Sequence, residues 1–280
     1  MGLLAVDMGG TYLRWIYESR GRRVESGKIS IDDITLDGFI EEKCTQYPDI
    51  KAVGVSFAGQ VSDGEIVASP NIDIYKYENI SALSDTLGVR VAIENDLNCA
   101  VLSESARLKC DNLVVLYVGT GLGCGIVSDG RLCRGSWGVS AEVGHIPYRK
   151  APFRCGCGKE NCMELYASGS GIERWLEYRG YSDRYTLMEM MESDDIYLRE
   201  ISENFFSALV VSASILVTVC NPEILLMGGG VVSSTPSIVE RLKKELPSYA
   251  LPVAMQRLEI VAGGLDEAPL EGALMLARSI

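Results

Sequence analysis

The residue types best suited to metal chemistry lie in one short part of this sequence. His145, the single histidine of the chain, is followed by Cys155, Cys157 and Cys162. Three thiolates and one imidazole complete a tetrahedral zinc set, and four protein ligands leave no open position for an activated water. We therefore predict a structural zinc site, against the alternative that four ordinary residues are close by chance. The spacing is not that of a zinc finger, so it does not indicate nucleic-acid binding.

Two carboxylates bracket these ligands. Glu142 lies three residues before His145, and Glu164 lies two residues after Cys162. A zinc anchor would draw both into one neighbourhood, where carboxylates suit sugar hydroxyls, because each hydroxyl both donates and accepts hydrogen bonds. Taken singly, either glutamate is interpreted better as a solvated surface charge.

A candidate general base stands elsewhere, in the segment Ile93-Glu94-Asn95-Asp96. This segment ends a β-like run and precedes a helical pattern, a junction at which open α/β sheets bind ligands. Asp96 is placed to accept a hydroxyl proton at the start of phosphoryl transfer, while Asn95 hydrogen-bonds the substrate. The alternative, which position alone favours, is that Asp96 only caps the following helix.

Two glycine-rich turns have the composition of phosphate-binding loops. Asp7-Met8-Gly9-Gly10-Thr11 and Gly119-Thr120-Gly121 each follow a short apolar run. Backbone N–H groups in such turns can approach phosphate oxygens closely, and Asp7 can hold Mg²⁺, often through water. Taken alone, the first turn is as consistent with a hairpin that has no ligand as with a phosphate-binding loop. The second fails the dinucleotide-binding spacing, and no P-loop triplet occurs.

The elements that must position these residues repeat one design. Leu3 to Tyr17 and Leu113 to Val127 both read as strand, glycine turn and strand, and a third glycine turn, Met227 to Gly230, follows another apolar run. Helical patterns cover 38–47, 97–109, 174–199 and 237–246, and strands are expected at 52–57 and 89–93. This arrangement predicts two related lobes that face each other, with a boundary near Cys110-Asp111-Asn112.

Composition limits the functions that the chain can have. Its 280 residues allow two domains of ordinary size, and its net charge of −12 gives no general attraction to nucleic acid or to an anionic membrane. Nine cysteines with uneven spacing and an N-terminus unlike a signal peptide favour a cytoplasmic protein without disulfides. The longest apolar stretch, Phe205 to Cys220, is shorter than a membrane span and predicts a buried helix.

Taken together, these motifs resemble the ROK family of sugar kinases, within the actin-like ATPase superfamily. The most specific mark is Glu142-Val143-Gly144-His145 followed by the pattern that runs from Cys155 to Glu164, and Ala141 stands where the family often has glycine. Further similar segments are Gly54 to Gly59, Pro70-Asn71 and Met227 to Val231. The DNA-binding regulators of this fold carry an added N-terminal helix-turn-helix, for which the position of the first loop leaves no room.

The resemblance implies an α/β, actin-like (ribonuclease H-like) duplicated two-lobe fold with a cleft between the lobes. Residues 1–111 would form the N-terminal lobe, with the helix 267–280 packing back on it, and residues 112–266 the lobe that carries the zinc motif. It also implies a homodimer or homotetramer. The expected reaction is ATP-dependent phosphorylation of the 6-hydroxyl of a hexose, glucose first; the alternatives are an N-acetylhexosamine kinase and a sugar-binding regulator without catalysis.

The resemblance also implies a role for each site residue. Asp96 would be the general base, and zinc would sit on His145, Cys155, Cys157 and Cys162. The sugar would be held by Gly59, Asn71, Asn95, Asp96, Glu142, His145 and Glu164. ATP and Mg²⁺ would be held by Asp7, Gly9, Gly10, Thr11, Gly119, Thr120, Gly121, Gly228, Gly229 and Gly230.

Overall fold

The computed structural model describes residues 1–69, 80–263 and 266–280 of the chain. The chain divides into two compact units, one formed by residues 1–109, 132–140 and 266–280, and the other by residues 110–131 and 141–265. The strands are β1 (Gly2–Met8), β2 (Tyr12–Ser19), β3 (Arg22–Ser30), β4 (Ile50–Phe57), β5 (Gln60–Ser62), β6 (Glu65–Ala68), β7 (Arg90–Asn95), β8 (Leu113–Val118), β9 (Leu122–Ser128), β10 (Arg131–Leu132), β11 (Ile224–Gly228) and β12 (Glu259–Ala262).

Helices of very different lengths connect these strands. They are α1 (Leu36–Gln46), α2 (Ile80–Leu87), α3 (Asp96–Leu108), α4 (Gly169–Tyr178), α5 (Leu187–Glu192), α6 (Ile196–Cys220), α7 (Gly230–Ser234), α8 (Ser237–Glu245), α9 (Pro252–Met255) and α10 (Ala268–Ser279). Short 3₁₀ turns at Val143–His145 and Met163–Leu165 lie within the predicted zinc motif.

The two units repeat one strand order. The first sheet runs β3-β2-β1-β4-β7, and the second runs β10-β9-β8-β11-β12. In each sheet an antiparallel hairpin, β1–β2 or β8–β9, is extended by strands that pair in parallel with its first strand. The repeated strand–turn–strand pattern of the sequence corresponds to these two hairpins. The duplicated sheets agree with the predicted α/β fold class.

The central strand of the first unit is buried on both faces. Because successive side chains of a strand point to opposite faces, Leu4, Val6 and Met8 of β1 join one apolar cluster. Leu3 and Ala5 join another, together with residues of α10. Helix α10 packs on β1, β4 and α3, so the end of the chain completes the core of the unit in which the chain begins.

Two of the predicted helical regions differ from the structure. The pattern over 174–199 predicts a helical region, and the structure divides it. Helix α4 ends at Tyr178 and is followed by Gly180 at φ +86°, a conformation that favours glycine and ends the helix. The remainder contains α5 and the first turn of α6.

Helix α6 is longer than the apolar stretch from which it was predicted. Because it begins at Ile196, its 25 residues are long and apolar enough to cross a membrane by length and composition. Its apolar side chains pack inside the second unit, where Phe205, Phe206 and Leu209 are fully buried. Core helices of this kind pass the same test of length and composition, and the packing of α6 agrees with the predicted buried helix.

The contact between β4 and α10 generates a testable prediction. A Cβ atom added to Gly54 would overlap the backbone carbonyl of Ala273 in α10. We expect Gly54→Ala to lower the free energy of unfolding by about 2 kcal/mol, as overpacking of a core does, measured by denaturant unfolding. The control is Gly230→Ala, where nothing lies within 4 Å of the added atom. Equal stability of the two variants would contradict the packing of α10 on β4.

Candidate functional site

In the first unit, Asp7 lies near the end of β1 and is held from two sides. Its Oδ1 accepts a hydrogen bond from the hydroxyl of Ser56 at 2.7 Å. Its Oδ2 accepts from Nε and Nη2 of Arg14 at 3.0 and 2.6 Å. The antiparallel register of β1 and β2 sets Arg14 directly opposite Asp7. This carboxylate is an oxygen donor of the kind that Mg²⁺ prefers. Arg14 occupies Oδ2 with two bonds, so Oδ1 is the oxygen with a lone pair left for a water of a hydrated ion.

Asn95, rather than Asp96, caps the helix that follows β7. The side-chain Oδ1 of Asn95 accepts from the backbone N–H groups of Leu97 and Asn98, at 3.0 and 3.2 Å. Its Nδ2 donates to the carbonyl of Gly59 at 2.9 Å and to Oδ1 of Asp96 at 3.0 Å. The alternative interpretation of Asp96 as the helix cap is therefore wrong, and Asp96 occupies the first position inside α3.

Asp96 is fixed through one of its two oxygens. Besides Asn95, the backbone N–H of Leu97 donates to the same Oδ1 at 2.9 Å. The side chain keeps part of its surface open, yet it lies deep enough that burial, together with the negative charge of Asp7, raises its pKa to about 7. A carboxyl with a pKa near neutrality is suited to general base catalysis.

Glu94 is a third buried carboxylate at this end of the sheet. Its Oε1 accepts from the Asn95 backbone and from the Asn98 side chain, both at 2.9 Å, and its Oε2 pairs with Arg134. Burial and the charges of Glu94, Asp7 and Asp96 raise the pKa of the Cys99 thiol well above its usual value. Cys99 is therefore a neutral, fully buried residue near these acids.

The remaining predicted residues of the first unit lie around this cluster. Gly9 to Thr11 form the exposed turn between β1 and β2, closed by a hydrogen bond from the Gly9 N–H to the carbonyl of Tyr12 at 3.0 Å. Gly59 follows β4, and a Cβ there would lie 2.5 Å from the Ala68 carbonyl, so the tight turn requires glycine. Asn71 lies outside the described residues.

In the second unit, the four predicted zinc ligands come together. One ligand atom from each of His145, Cys155, Cys157 and Cys162 lies within 4.8 Å of all the others. Cys155 Sγ is 3.5 Å from His145 Nδ1, and Cys157 Sγ is 3.4 Å from Cys162 Sγ. Metal–ligand bonds of about 2.0–2.3 Å in a tetrahedron require separations of this size. The donor set and its geometry therefore fit a zinc ion.

Glu142 lies beside the other ring nitrogen of His145. Its Oε2 is 3.9 Å from Nε2, beyond hydrogen-bond distance, while Nδ1 lies 3.5 Å from Cys155 Sγ. The preceding residue, Ala141, has φ +66°, a conformation that glycine adopts at lower cost. This explains in physical terms why glycine would be suitable at that position.

Glu164 lies between the cysteine cluster and the turn after β8. Its Oε1 accepts from Cys155 Sγ at 3.4 Å, and its Oε2 accepts from the Leu122 N–H at 3.1 Å. The turn itself, Gly119 to Gly121, is closed by a hydrogen bond between the Gly119 N–H and the Gly121 carbonyl. The sequence indicated Glu164 for its closeness to the metal ligands but did not predict that it reaches the hairpin.

The third glycine turn lies against the same region of the second unit. Gly228 ends β11, Gly229 has φ +99°, and Gly230 begins α7. A Cβ on Gly229 would overlap the carbonyl of Val118, the last residue of β8. The turns at 119–121 and 228–230 are therefore neighbours, as a nucleotide that spans both would require.

Sequence reasoning missed the cations and the helix start that support these residues. The position of Arg14 could have been predicted from the sequence, because a short turn between two paired strands places it opposite Asp7. The position of Arg134 could not have been, since it lies forty residues from Glu94 in the chain. The N-terminus of α4 was also missed: the N–H groups of Gly169 and Ser170 donate to the carbonyls of Gly119 and Thr120 at 2.8 and 3.1 Å.

Comparison with known proteins gives a consistent result. The ROK family model matches residues 3–280. The glucokinase of Thermotoga maritima is 28% identical, over 99% of this chain and 97% of its own length. The N-acetyl-D-glucosamine kinase of Pectobacterium carotovorum subsp. carotovorum is 30% identical, over 96% and 97%. A ROK family glucokinase from Streptomyces griseus, solved with glucose and AMPPNP, superposes over all of both chains with a TM-score of 0.74 and 26% identity.

These matches extend over nearly the whole chain and confirm three predictions made from the sequence: the family, the actin-like fold and the sugar-kinase class of enzyme. The chain belongs to the ROK family.

Proposed function

We propose that this protein catalyses ATP-dependent phosphorylation of the 6-hydroxyl of a hexose, with glucose as the preferred acceptor. The observation that supports the proposal is the fixed orientation and the raised pKa of Asp96. Hydrogen bonds to Oδ1 fix its orientation, and its pKa of about 7 makes it a base matched to a hydroxyl group near neutral pH. We place the enzyme in the cytoplasm, as a homodimer or homotetramer.

The residues of the first unit supply the base and part of the sugar contacts. Asp96 takes the proton of the 6-hydroxyl as its oxygen attacks the γ-phosphoryl group. Asn95 and Gly59, which are hydrogen-bonded to each other, hold the sugar together with Asn71. The turn Gly9 to Thr11 presents backbone N–H groups to phosphate, and Asp7 holds hydrated Mg²⁺, which neutralises phosphate charge when it is bound.

The residues of the second unit bind nucleotide and sugar through backbone turns and the metal loop. The turns 119–121 and 228–230 offer N–H groups and close backbone approach to ATP. Zinc on His145, Cys155, Cys157 and Cys162 orders the loop, so that Glu142, His145 and Glu164 meet the sugar hydroxyls already in place. With all four positions filled by protein, zinc takes no part in phosphoryl transfer.

A second candidate acceptor is an N-acetylhexosamine, N-acetylglucosamine or N-acetylmannosamine. It is favoured by the 30% identity to an N-acetyl-D-glucosamine kinase, slightly above that to the glucokinase. A coupled ADP-release assay across hexoses and N-acetylhexosamines separates the two. A kcat/KM highest for glucose supports the first candidate, and one highest for an acetylated sugar supports the second. No ADP release with any sugar would contradict both and favour a regulator without catalysis.

The assignment of the base predicts the effect of one substitution. We expect Asp96→Asn to lower kcat by at least about 100-fold, because general base catalysis contributes that much, while sugar binding persists. Steady-state kinetics and calorimetric sugar titration measure the two effects. The control is Asp85→Asn, which changes an exposed residue of α2 and should leave both unchanged. Near-normal kcat in Asp96→Asn would show that another group is the base.

The raised pKa predicts the pH dependence of the free enzyme. Asp96 accepts a proton only when it is ionised, and the ionised fraction falls tenfold for each pH unit below its pKa. The profile of kcat/KM should therefore have an acidic limb of unit slope that begins near pH 7. An acidic limb near pH 4, the usual range of an aspartate, would be inconsistent with the burial of this group.

The ligand cluster predicts metal content and its consequence for sugar binding. Elemental analysis should find one zinc per chain, and Cys157→Ser should lower that content and weaken sugar affinity, since Ser is a poor zinc ligand. Cys44→Ser, which changes a cysteine far from the cluster in sequence, is the matched control. If folded, metal-free protein binds sugar as tightly as the zinc form, the ordering role of zinc is wrong.

A further inference from the structure

The link between the metal loop and the hairpin of the second unit passes through one side chain. Glu164 follows the metal ligand Cys162 by two residues, and its Oε2 accepts a hydrogen bond from the Leu122 N–H at 3.1 Å. The bond from the Cys155 thiol to Oε1 belongs to the metal-free chain, because a zinc-bound thiolate has no proton to donate. Leu122 is buried and begins β9, directly after the turn 119–121. A hydrogen bond from a backbone N–H to a carboxylate is charge-assisted and about twice as strong as a neutral one.

The packing around this bond leaves the hairpin little freedom. A Cβ on Gly121 would lie 2.6 Å from Oε2 of Glu164, so the turn and the carboxylate are in close contact. Gly144, adjacent to the ligand His145, packs so tightly on the Leu122 carbonyl that a Cβ would overlap it. The start of α4, five residues after Glu164, binds the turn again through the N–H groups of Gly169 and Ser170.

The turn therefore takes its shape from the segments that carry the metal ligands, and only in part from its own strands. Glu164 joins the two: it follows the metal ligand Cys162 by two residues in the chain, and its carboxylate accepts from the Leu122 N–H at the start of β9. We propose that Glu164 is a positioning residue that couples the metal loop to the hairpin, so that an ordered metal loop sets the affinity for the nucleotide. This role rests on the proposed function, in which the turn 119–121 binds ATP phosphates.

The test compares four variants of the full-length, metal-loaded protein. Glu164→Ala removes the bond, and Glu164→Gln keeps an oxygen for Leu122 without the charge. The matched controls are Glu160→Ala and Glu160→Gln. Glu160 lies in the same loop, two residues before Cys162, and pairs with exposed Lys150 and Arg154 instead of the hairpin. Elemental analysis confirms that each variant keeps its zinc.

The first readout is hydrogen exchange at the amide of Leu122. We expect exchange about tenfold faster in Glu164→Ala, since loss of a charge-assisted bond to a buried amide costs more than a neutral one, and partial restoration of protection in Glu164→Gln. The Glu160 variants should match the unmodified protein. Unchanged protection in Glu164→Ala would overturn the coupling.

The second readout is calorimetric binding of Mg²⁺–AMPPNP without sugar, so that any role of Glu164 in sugar binding does not contribute. We expect affinity about tenfold weaker in Glu164→Ala and intermediate in Glu164→Gln. Faster exchange at Leu122 with unchanged nucleotide affinity would mean that the hairpin does not bind ATP. That outcome would contradict the proposed function, in which the turn 119–121 binds ATP. Unchanged exchange at Leu122 would instead contradict the positioning role of Glu164.

Discussion

The charge balance at one end of the first sheet is the constraint on which the proposed chemistry depends. Asp7, Glu94 and Asp96 meet there with little access to water, and an unpaired buried charge is costly. Arg14 pairs with Asp7, and Arg134 pairs with Glu94. Among the described residues, the donors to Asp96 are the neutral groups of Asn95 and Leu97, and burial and the charge of Asp7 disfavour its ionised form. One carboxyl is thereby left with a pKa near 7, the property that a base acting on a sugar hydroxyl needs.

The second unit uses the same hairpin architecture for a different purpose. Its turn at 119–121 has no acid and no arginine comparable to Asp7 and Arg14. Instead it is bound by Glu164 and by the start of α4, which belong to the segment after the metal ligands. The two sheets share one strand order, and the cysteine-rich loop, which follows β10 in the chain, is next to Glu164, whose carboxylate binds the second hairpin.

Much of this arrangement could be predicted from the sequence, because it is local or repetitive. The β1–β2 and β8–β9 hairpins follow from apolar runs around glycine turns, and the ligand set follows from the single histidine and three closely spaced cysteines. The polar partners could not be predicted, because Glu94 and Arg134, or Glu164 and Leu122, meet only through tertiary packing. The capping of α3 was misassigned for a related reason: Asn95 and Asp96 are both good caps, and only backbone geometry decides between them.

The central claim is that Asp96 is the carboxyl that remains without a cation at this cluster. It is tested most directly by a ¹³C NMR titration of the aspartate carboxyl carbons in the ligand-free protein, with Asp96 assigned by comparison with Asp96→Asn. The account predicts that the Asp96 resonance titrates with a pKa of about 7. A midpoint near 4, where an exposed aspartate titrates, would contradict the account.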